Sequence, residues 1–338
     1  MAPVDKSFGG TLDANFVDHL TQGVLTNNTT VLAQAITLIE SAKTEHQKIA
    51  VKLLEKCIGH QTESIRIGIT GVPGVGKSTF IESFGKLLLS KGKRVAVLSV
   101  DPSSNETKGS ILGDKVRMES LAKEQHAFIR PSPTGGSLGG VARKTRETII
   151  LLETAGYDII LIETVGVGQN ETTVRDMTDF FLLLKLPGAG DELQGIKRGV
   201  MEMADAIAIN KADGHNKKPA ESAKMEFSRA LHLFAAKDNG WVPKVMTCSA
   251  VENKGLTSIW SCIENFVTLS KENGFFEQTR KHQNKKWLRE HINHILLRDF
   301  YEHPDISKAL SVLEKKVVDG EITPFRAAEN LVKNYRET

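Results

Sequence analysis

The chain has 338 residues, of which 40% are hydrophobic and 25% are charged, a balance typical of a soluble globular protein with room for one large α/β domain and extensions. The formal net charge is only +3 and the basic residues are spread along the chain, which argues against nucleic acid as the main partner. No apolar run approaches the ~18 residues that a membrane span requires, and the first 16 residues contain acidic side chains but no arginine, so we expect a cytoplasmic protein without a membrane partner.

Helical and β-prone segments alternate along most of the chain. Apolar residues at helical spacing predict helices within residues 11–60. Strands are then predicted over residues 65–70, 95–100, 127–130, 158–164, 180–185, 206–210 and 244–248, with helices over 78–90, 138–155 and about 221–236. This alternation is typical of a mainly parallel sheet flanked by helices, and in such sheets ligands bind beyond the C-terminal ends of the strands.

The strand pattern stops after about residue 270, and further helices are predicted over residues 277–301, 306–318 and 324–335. We therefore predict three parts of the chain. These are an N-terminal helical extension over residues 1–60, an α/β domain over 61–270, and a C-terminal helical arm over 271–338.

Residues 71–78, Gly-Val-Pro-Gly-Val-Gly-Lys-Ser, fit the phosphate-loop pattern G-x-x-x-x-G-K-[ST] between a predicted strand and a predicted helix. The glycines let main-chain N–H groups converge on phosphate oxygens, and the helix that follows directs its positive end at the same anion. Lys77 is expected to bridge the β- and γ-phosphates, Ser78 to place its hydroxyl on Mg²⁺, and Thr79 to contact the α-phosphate. The predicted phosphate-binding residues are Gly71, Gly74, Val75, Gly76, Lys77, Ser78 and Thr79.

A second motif, Asn-Lys-x-Asp, ends the strand predicted over residues 206–210. The Asp213 carboxylate can accept hydrogen bonds from guanine N1–H and the 2-amino group, neither of which adenine offers. Asn210 is expected to tie this motif to the phosphate loop, and the stem of Lys211 to cover the face of the base. Ser249 and Ala250 follow the next strand and are expected to supply a main-chain N–H to guanine O6. The two motifs together predict binding of Mg²⁺-GTP.

Acidic residues at strand ends are the candidate magnesium ligands. Glu163 ends the apolar run 159–162 at the Walker B position, and its longer side chain, where many GTPases have Asp, favours contact through water. Gly166 can offer its N–H to the γ-phosphate. Asp101 and Asp114 can both reach the metal. We prefer Asp101 as the closer ligand, since it lies at a fixed strand end and Asp114 in a glycine-rich loop, but the sequence leaves open which of them contacts the metal directly.

Lys77, Glu163 and Gln169 are the candidate catalytic residues. Gln169 lies three residues beyond Gly166, from where it can orient the attacking water, but a solvated loop side chain explains it equally well. The glycine-rich stretch 186–197 is either a connecting loop or a mobile segment that contacts a partner.

These motifs together resemble those of the MeaB/ArgK-like GTPases, relatives of the human methylmalonic aciduria type A protein. The matching stretches are residues 68–79, 101–104, 109–114, 130–133, 138–142, 163–169 and 210–213. The similarity is close over about residues 65–266, with matching helical arms on both sides. Lys108, Val116 and Gly135 depart from residues frequent in the family, and none of them removes a predicted ligand.

The resemblance implies a SIMIBI-class G domain of the P-loop NTPase fold, with GTP/GDP and Mg²⁺ as ligands and slow intrinsic hydrolysis to GDP and phosphate. It implies a homodimer held by the C-terminal helices. It also implies a chaperone that gates adenosylcobalamin loading and protection of methylmalonyl-CoA mutase, a B12-dependent acyl-CoA mutase. The sequence does not distinguish this client from a related acyl-CoA mutase.

The family motifs also assign roles to particular residues. By resemblance, the phosphate and magnesium residues are Lys77, Ser78, Asp101, Asp114 and Glu163. By the same resemblance, Asp191 and Lys197 belong to a third switch loop that senses the mutase.

Other functions remain open from the residues alone. A GTPase that matures another metal or cofactor enzyme often carries a Cys/His cluster, whereas His291 and His294 have no third ligand nearby in sequence. A transport-system kinase would need an ATP preference, against which Asn210 and Asp213 argue. A module that binds GTP without turnover is a further alternative.

Overall fold

The computed structural model describes residues 4–5, 10–100, 118–131, 138–164, 170–188, 198–234 and 237–337. Strands β1 (Val4–Asp5) and β2 (Gly10–Thr11) form a short antiparallel pair. The main sheet contains β3 (Ile65–Gly71), β4 (Val95–Val100), β5 (Ala127–Arg130), β6 (Ile159–Thr164), β7 (Phe180–Lys185), β8 (Ala206–Ile209) and β9 (Lys244–Thr247). Its seven strands run in the order β5-β4-β6-β3-β7-β8-β9, and every neighbouring pair is parallel. The predicted fold class is therefore confirmed.

The strands are short apolar runs because both faces of the sheet are covered. Successive residues point to opposite faces, so β7 sends Leu182 and Leu184 into the larger core and Leu183 into the smaller one. The larger core holds Phe80 and Phe84 of the helix after the phosphate loop, and the smaller one holds Phe227. All of these side chains are at most 2% exposed.

Thirteen helices lie within the described residues. The first six are α1 (Ala14–Leu25), α2 (Thr29–Glu40), α3 (Thr44–Cys57), α4 (Lys77–Ser90), α5 (Glu119–Ala122) and α6 (Leu138–Thr154). The next four are α7 (Asn170–Arg175), α8 (Arg198–Met203), α9 (Lys217–Leu231) and α10 (Leu256–Glu272). The last three are α11 (Phe275–Tyr301), α12 (Pro304–Val318) and α13 (Pro324–Glu337).

The ends of several helices follow from local chemistry. Asp13 caps α1 by accepting from the N–H of Phe16 at 3.0 Å, and Asn28 caps α2 in the same way. Helix α9 begins at Lys217, four residues before the predicted start. This start is compatible with Pro219, because a proline in the first turn costs no intrahelical hydrogen bond. Helices α2 and α3 pack against α6 beside the sheet.

One buried and one partly buried ion pair lie at the edge of the sheet formed by the N-terminal ends of the strands. Arg66 of β3 donates to both carboxylate oxygens of Glu153 on α6 at 2.8 Å. Arg280, near the start of α11, donates to both carboxylate oxygens of Asp179 at 2.9 and 2.7 Å, and to the carbonyl of Ser64 at 2.8 Å. Such paired and hydrogen-bonded charges are costly to break singly. They fix the edge of the sheet that lies opposite the predicted nucleotide site.

The chain divides into two compact units between Lys281 and His282, within α11. The first unit contains the sheet. In the second, α12 packs against α13, and Phe300 contacts the ring of Tyr335 with centroids 5.1 Å apart. The three-part division predicted from the sequence stays a prediction. No helix among the described residues has both the length and the apolarity to cross a bilayer.

Candidate functional site

The predicted phosphate loop connects β3 to α4 at the C-terminal edge of the sheet. Gly71 ends the strand, and Lys77 begins the helix, as the motif requires. The Lys77 side chain is buried, and its Nζ donates to the carbonyl oxygens of Gly71 at 2.8 Å and of Val72 at 3.3 Å. The ammonium group thus lies over the loop itself. A bound phosphate would offer it anionic oxygens in place of these carbonyls.

Two features of the structure require glycine at position 76. One is its own backbone conformation, and the other is the close approach of the Asn-Lys-x-Asp motif (residues 210–213), called the base motif below. Its φ of +90° is in the left-handed region, which disfavours a side chain. A Cβ at this position would also lie 2.9 Å from Nδ2 of Asn210. Of the other predicted phosphate-binding residues, Val75 is buried, while Gly74 in the loop and Thr79 in the first turn of α4 are exposed.

Asn210 joins the base motif to the phosphate loop. Its side chain is 1% exposed, and Nδ2 donates to the carbonyl of Val75 at 2.9 Å. Its Oδ1 accepts from the N–H of Ala250 at 3.3 Å and from the thiol of Cys248 at 3.6 Å. Burial raises the pKa of Cys248 to about 12, so the thiol keeps its proton and can donate. The predicted tie between the two motifs is present in this geometry.

Lys211 and Asp213, in the same motif as Asn210, each contact a neighbouring loop. Lys211 has a φ of 58°, and its Nζ donates to the carbonyl of Gly74 at 2.8 Å. Its aliphatic stem therefore spans from the base motif to the phosphate loop. Asp213 is half-buried, and one carboxylate oxygen accepts from the hydroxyl of Ser249 at 2.5 Å. This contact fixes a carboxylate that can accept two hydrogen bonds from guanine.

The loop after β9 lies beside Asn210 and Asp213 of the base motif. Ser249 is fully buried and Ala250 is 3% exposed. The N–H of Ala250 makes a long hydrogen bond to Asn210, so guanine O6 would share this donor with Asn210 in a three-centre bond. Ser249 and Ala250, which the sequence analysis selected as donors to guanine O6, therefore lie beside the base motif.

Glu163 and Ser78 form the described part of the candidate magnesium site. Glu163 of β6 is 7% exposed, and its Oε1 lies 3.4 Å from the hydroxyl of Ser78 at the start of α4. The neighbouring Thr164 donates its hydroxyl to that of Thr70 at 2.8 Å, which joins the ends of β6 and β3. A carboxylate and a hydroxyl at the positive end of a helix are hard oxygen donors that fit nucleotide-bound Mg²⁺.

Several predicted site residues lie outside the described residues. They are Asp101, Asp114, Gly166, Gln169, Asp191 and Lys197. Their roles therefore stay predictions from the sequence.

One charged residue at this edge was missed by the sequence analysis. Lys185 ends β7, is 3% exposed, and has its Nζ 5.9 Å from the ring centroid of Phe227. Its carbonyl accepts from the N–H of Asn210 at 2.8 Å. A charged residue that ends an apolar strand was the signal that selected Glu163, and the same signal would have selected Lys185.

The two candidate histidines outside this site stack on α11. The rings of His291 and His294 have centroids 6.4 Å apart. In the part of the chain that the structure describes, no three or more His, Cys, Asp or Glu side chains group to hold a metal ion.

The fold and these motifs define the class of P-loop GTPases: a parallel sheet with a phosphate loop after one strand and an Asn-Lys-x-Asp motif after another. The family model described as methylmalonyl Co-A mutase-associated GTPase MeaB matches residues 32–305. The chain belongs to this family of GTPases.

Similar proteins support this assignment along most of the chain. A Mycobacterium tuberculosis protein described as a probable GTPase is 47% identical over 321 residues, which cover 95% of this chain and 96% of that protein. The mouse protein described as a mitochondrial methylmalonic aciduria type A homolog is 45% identical over 334 residues, covering 96% and 80%. A crystal structure described as an LAO/AO transport system kinase superposes with a TM-score of 0.75 at 35% identity, covering 96% of this chain and 99% of that one.

Proposed function

We propose that this protein binds Mg²⁺-GTP and uses slow GTP hydrolysis to gate adenosylcobalamin loading and protection of methylmalonyl-CoA mutase. The nucleotide part is supported by one observation, the hydrogen bond from Asn210 Nδ2 to the Val75 carbonyl, which joins the Asn-Lys-x-Asp motif to the phosphate-loop motif. The mutase part is supported by the family, whose description names association with methylmalonyl-CoA mutase.

Each residue of the site has a proposed task. Lys77 contacts the β- and γ-phosphates and stabilises the negative charge that builds up there during phosphoryl transfer. Ser78 and Glu163 hold Mg²⁺, together with Asp101 or Asp114. Asp213 accepts from guanine N1–H and the 2-amino group, so its carboxylate disfavours adenine, which would leave it desolvated and unpaired.

Slow intrinsic turnover is part of the proposal. The contacts to phosphate and base come from fixed strand ends and helix starts. The residues proposed to orient the attacking water and to sense the γ-phosphate, Gln169 and Gly166, belong to the connecting segment 165–169. A partner that helps to orient the attacking water would speed hydrolysis. We propose that the mutase does so, through the third switch loop that contains Asp191 and Lys197.

We also propose a homodimer formed through the C-terminal helices. The second unit carries an apolar groove of about 650 Å³ between α11, α12 and α13. Val318 in its lining is 85% exposed. A groove of this kind is stabilised by covering it with another apolar surface. A cytoplasmic location stays a prediction.

The test uses the purified protein with the apo-form of methylmalonyl-CoA mutase. We expect mutase binding to differ between GDP and a non-hydrolysable GTP analogue, and the mutase to speed phosphate release about tenfold or more. Lys77→Ala should lose about a hundredfold in GTP affinity, because a charge-assisted contact to phosphate is removed. Calorimetry measures the nucleotide affinity and a phosphate sensor the turnover.

Lys86→Ala is the matched control, since Lys86 is an exposed lysine on the same helix. Equal mutase binding with both nucleotides would contradict the chaperone role. Transfer of labelled γ-phosphate to another protein rather than to water would favour a kinase.

A further inference from the structure

A side chain in the middle of α4 contacts the loop that follows β9. Ser83 lies six residues beyond Lys77 on the helix that begins at the phosphate loop. Its hydroxyl donates to the carbonyl of Ala250 at 2.8 Å. The two residues are 167 positions apart in the chain, and neither the phosphate motif nor the base motif includes Ser83.

The loop that receives this hydrogen bond has a fixed internal shape. Ser249 and Lys254 exchange two main-chain hydrogen bonds of 3.0 Å across it. Gly255 closes it with a φ of +77°, and a Cβ there would lie 2.3 Å from the carbonyl of Thr247. These contacts fix the shape of the loop, and the hydrogen bond from Ser83 joins the loop to α4.

Three hydrogen bonds and the backbone of α4 form a closed path that joins the phosphate loop, Asn210 and the loop after β9. The carbonyl of Val75 accepts from Asn210, Asn210 accepts from the N–H of Ala250, and the carbonyl of Ala250 accepts from Ser83. Helix α4 then leads from Ser83 back to the phosphate loop. Ala250 is thus held on its N–H side by the base motif and on its carbonyl side by the phosphate helix.

We propose that Ser83 is a positioning residue for guanine specificity. Its hydrogen bond to the Ala250 carbonyl holds the backbone of this loop so that main-chain N–H groups of the loop meet guanine O6. The inference rests on the proposed guanine site. Ser83 touches no nucleotide itself and acts through Ala250. Loss of its hydroxyl frees the loop at the O6 side of the base. Asp213, on the 2-amino side, keeps its contact with Ser249, which the pairing with Lys254 holds independently.

The test measures binding of GTP and two analogues that each change one edge of the base. In 6-thio-GTP a larger and weaker acceptor replaces O6, and ITP lacks the 2-amino group. The wild-type protein should prefer GTP over both. In Ser83→Ala, the preference for GTP over 6-thio-GTP should fall about fivefold, the factor that one hydrogen bond of ordinary net strength contributes. The preference for GTP over ITP should change less than about twofold.

Two further variants separate the hydroxyl from its surroundings. Ser90→Ala removes a hydroxyl of the same helix that bonds only within the helix, to the carbonyl of Leu87 at 2.7 Å, and should behave as wild type. Ser83→Thr keeps a hydroxyl and should keep the wild-type preference. Alanine is a strong helix former, so both alanine variants should fold.

The outcomes distinguish this inference from the proposed function. An unchanged preference for GTP over 6-thio-GTP in Ser83→Ala would overturn the role of Ser83. Equal loss in Ser83→Thr and Ser83→Ala would overturn it too, since the hydroxyl would not be the determinant. Wild-type protein that binds ATP as tightly as GTP would overturn the proposed guanine site, and the role of Ser83 with it.

Discussion

Asn210 uses both ends of its amide, which explains why this residue type suits the position. The nitrogen donates to Val75, and the oxygen accepts from Ala250 and Cys248. An aspartate in its place would turn a carboxylate oxygen toward the Val75 carbonyl, and a buried pair of acceptors is unfavourable. One side chain therefore holds three separate chain segments at the proposed base site.

Asp213→Asn should change which base the protein binds. An amide presents a donor where guanine also has a donor, whereas xanthine has a carbonyl at C2 that can accept from the amide. We expect GTP affinity to fall about a hundredfold or more and XTP to become the better ligand. Competition against a fluorescent nucleotide measures both affinities.

Asp238→Asn is the control, because Asp238 is an exposed aspartate of the same unit. It should leave the preference for GTP unchanged. If Asp213→Asn also kept that preference, Asp213 would not be the residue that reads guanine.

At the scale of elements, the turn from β3 into α4 decides what the site can bind. The strand is fixed by its neighbours on both sides, β6 and β7. The helix is fixed by Phe80 and Phe84, which are buried in the larger core. The loop between them turns through glycines with positive φ. Its close approach to Asn210 leaves no room for a side chain at Gly76.

Gly76→Ala tests this close approach. An alanine in left-handed backbone costs roughly 1 kcal/mol of folding free energy, and its methyl group would push Asn210 from the phosphate loop. We expect a lower melting temperature and about tenfold weaker GTP binding, because Asn210 no longer joins the two motifs. Thermal unfolding and calorimetry measure the two effects.

Gly92→Ala is a matched control. Gly92 also has a positive φ, of +76°, but no atom lies within 4 Å of where its Cβ would be. It should show a similar loss of stability with unchanged nucleotide affinity. Equal affinity losses in both variants would mean that strain, and not the contact with Asn210, explains the effect.

At the scale of the whole molecule, the chain combines a nucleotide-binding unit with a helical unit. Among its described residues, the first unit has hydrophobic clusters on both faces of one sheet and ion pairs at the edge formed by the N-terminal strand ends. The second unit consists of α11 from His282 onward, with α12 and α13, and exposes large apolar side chains such as Leu296, Val318 and Phe325. These side chains are the candidates for the interface of the proposed homodimer.

Light scattering should give twice the mass of one chain if this surface forms the proposed homodimer. Val318→Asp together with Val332→Asp places two charges in the lining of the groove, where burial would leave them unpaired. We expect this double variant to be monomeric at micromolar concentration. Val242→Asp, at an exposed valine of the first unit, should stay dimeric. A monomeric wild-type protein would refute the dimer.

Much of this architecture was predictable from the chain alone. Short and mostly apolar segments marked every strand of the main sheet, whose strands are four to seven residues long, because a strand covered on both faces is mostly apolar. The phosphate and base motifs were recognisable because each places its functional groups within a few consecutive residues. Glu163 was found because a carboxylate that ends such a run is unusual.

What the sequence determined by itself was the class of fold and the local motifs, because both are written in residues adjacent in the chain. The tertiary structure decided how the motifs meet. Asn210 against Val75, Ser249 against Asp213 and Ser83 against Ala250 join residues 135, 36 and 167 positions apart. No local pattern encodes such pairs, since each depends on the order in which parallel strands assemble and on how the helices pack across them.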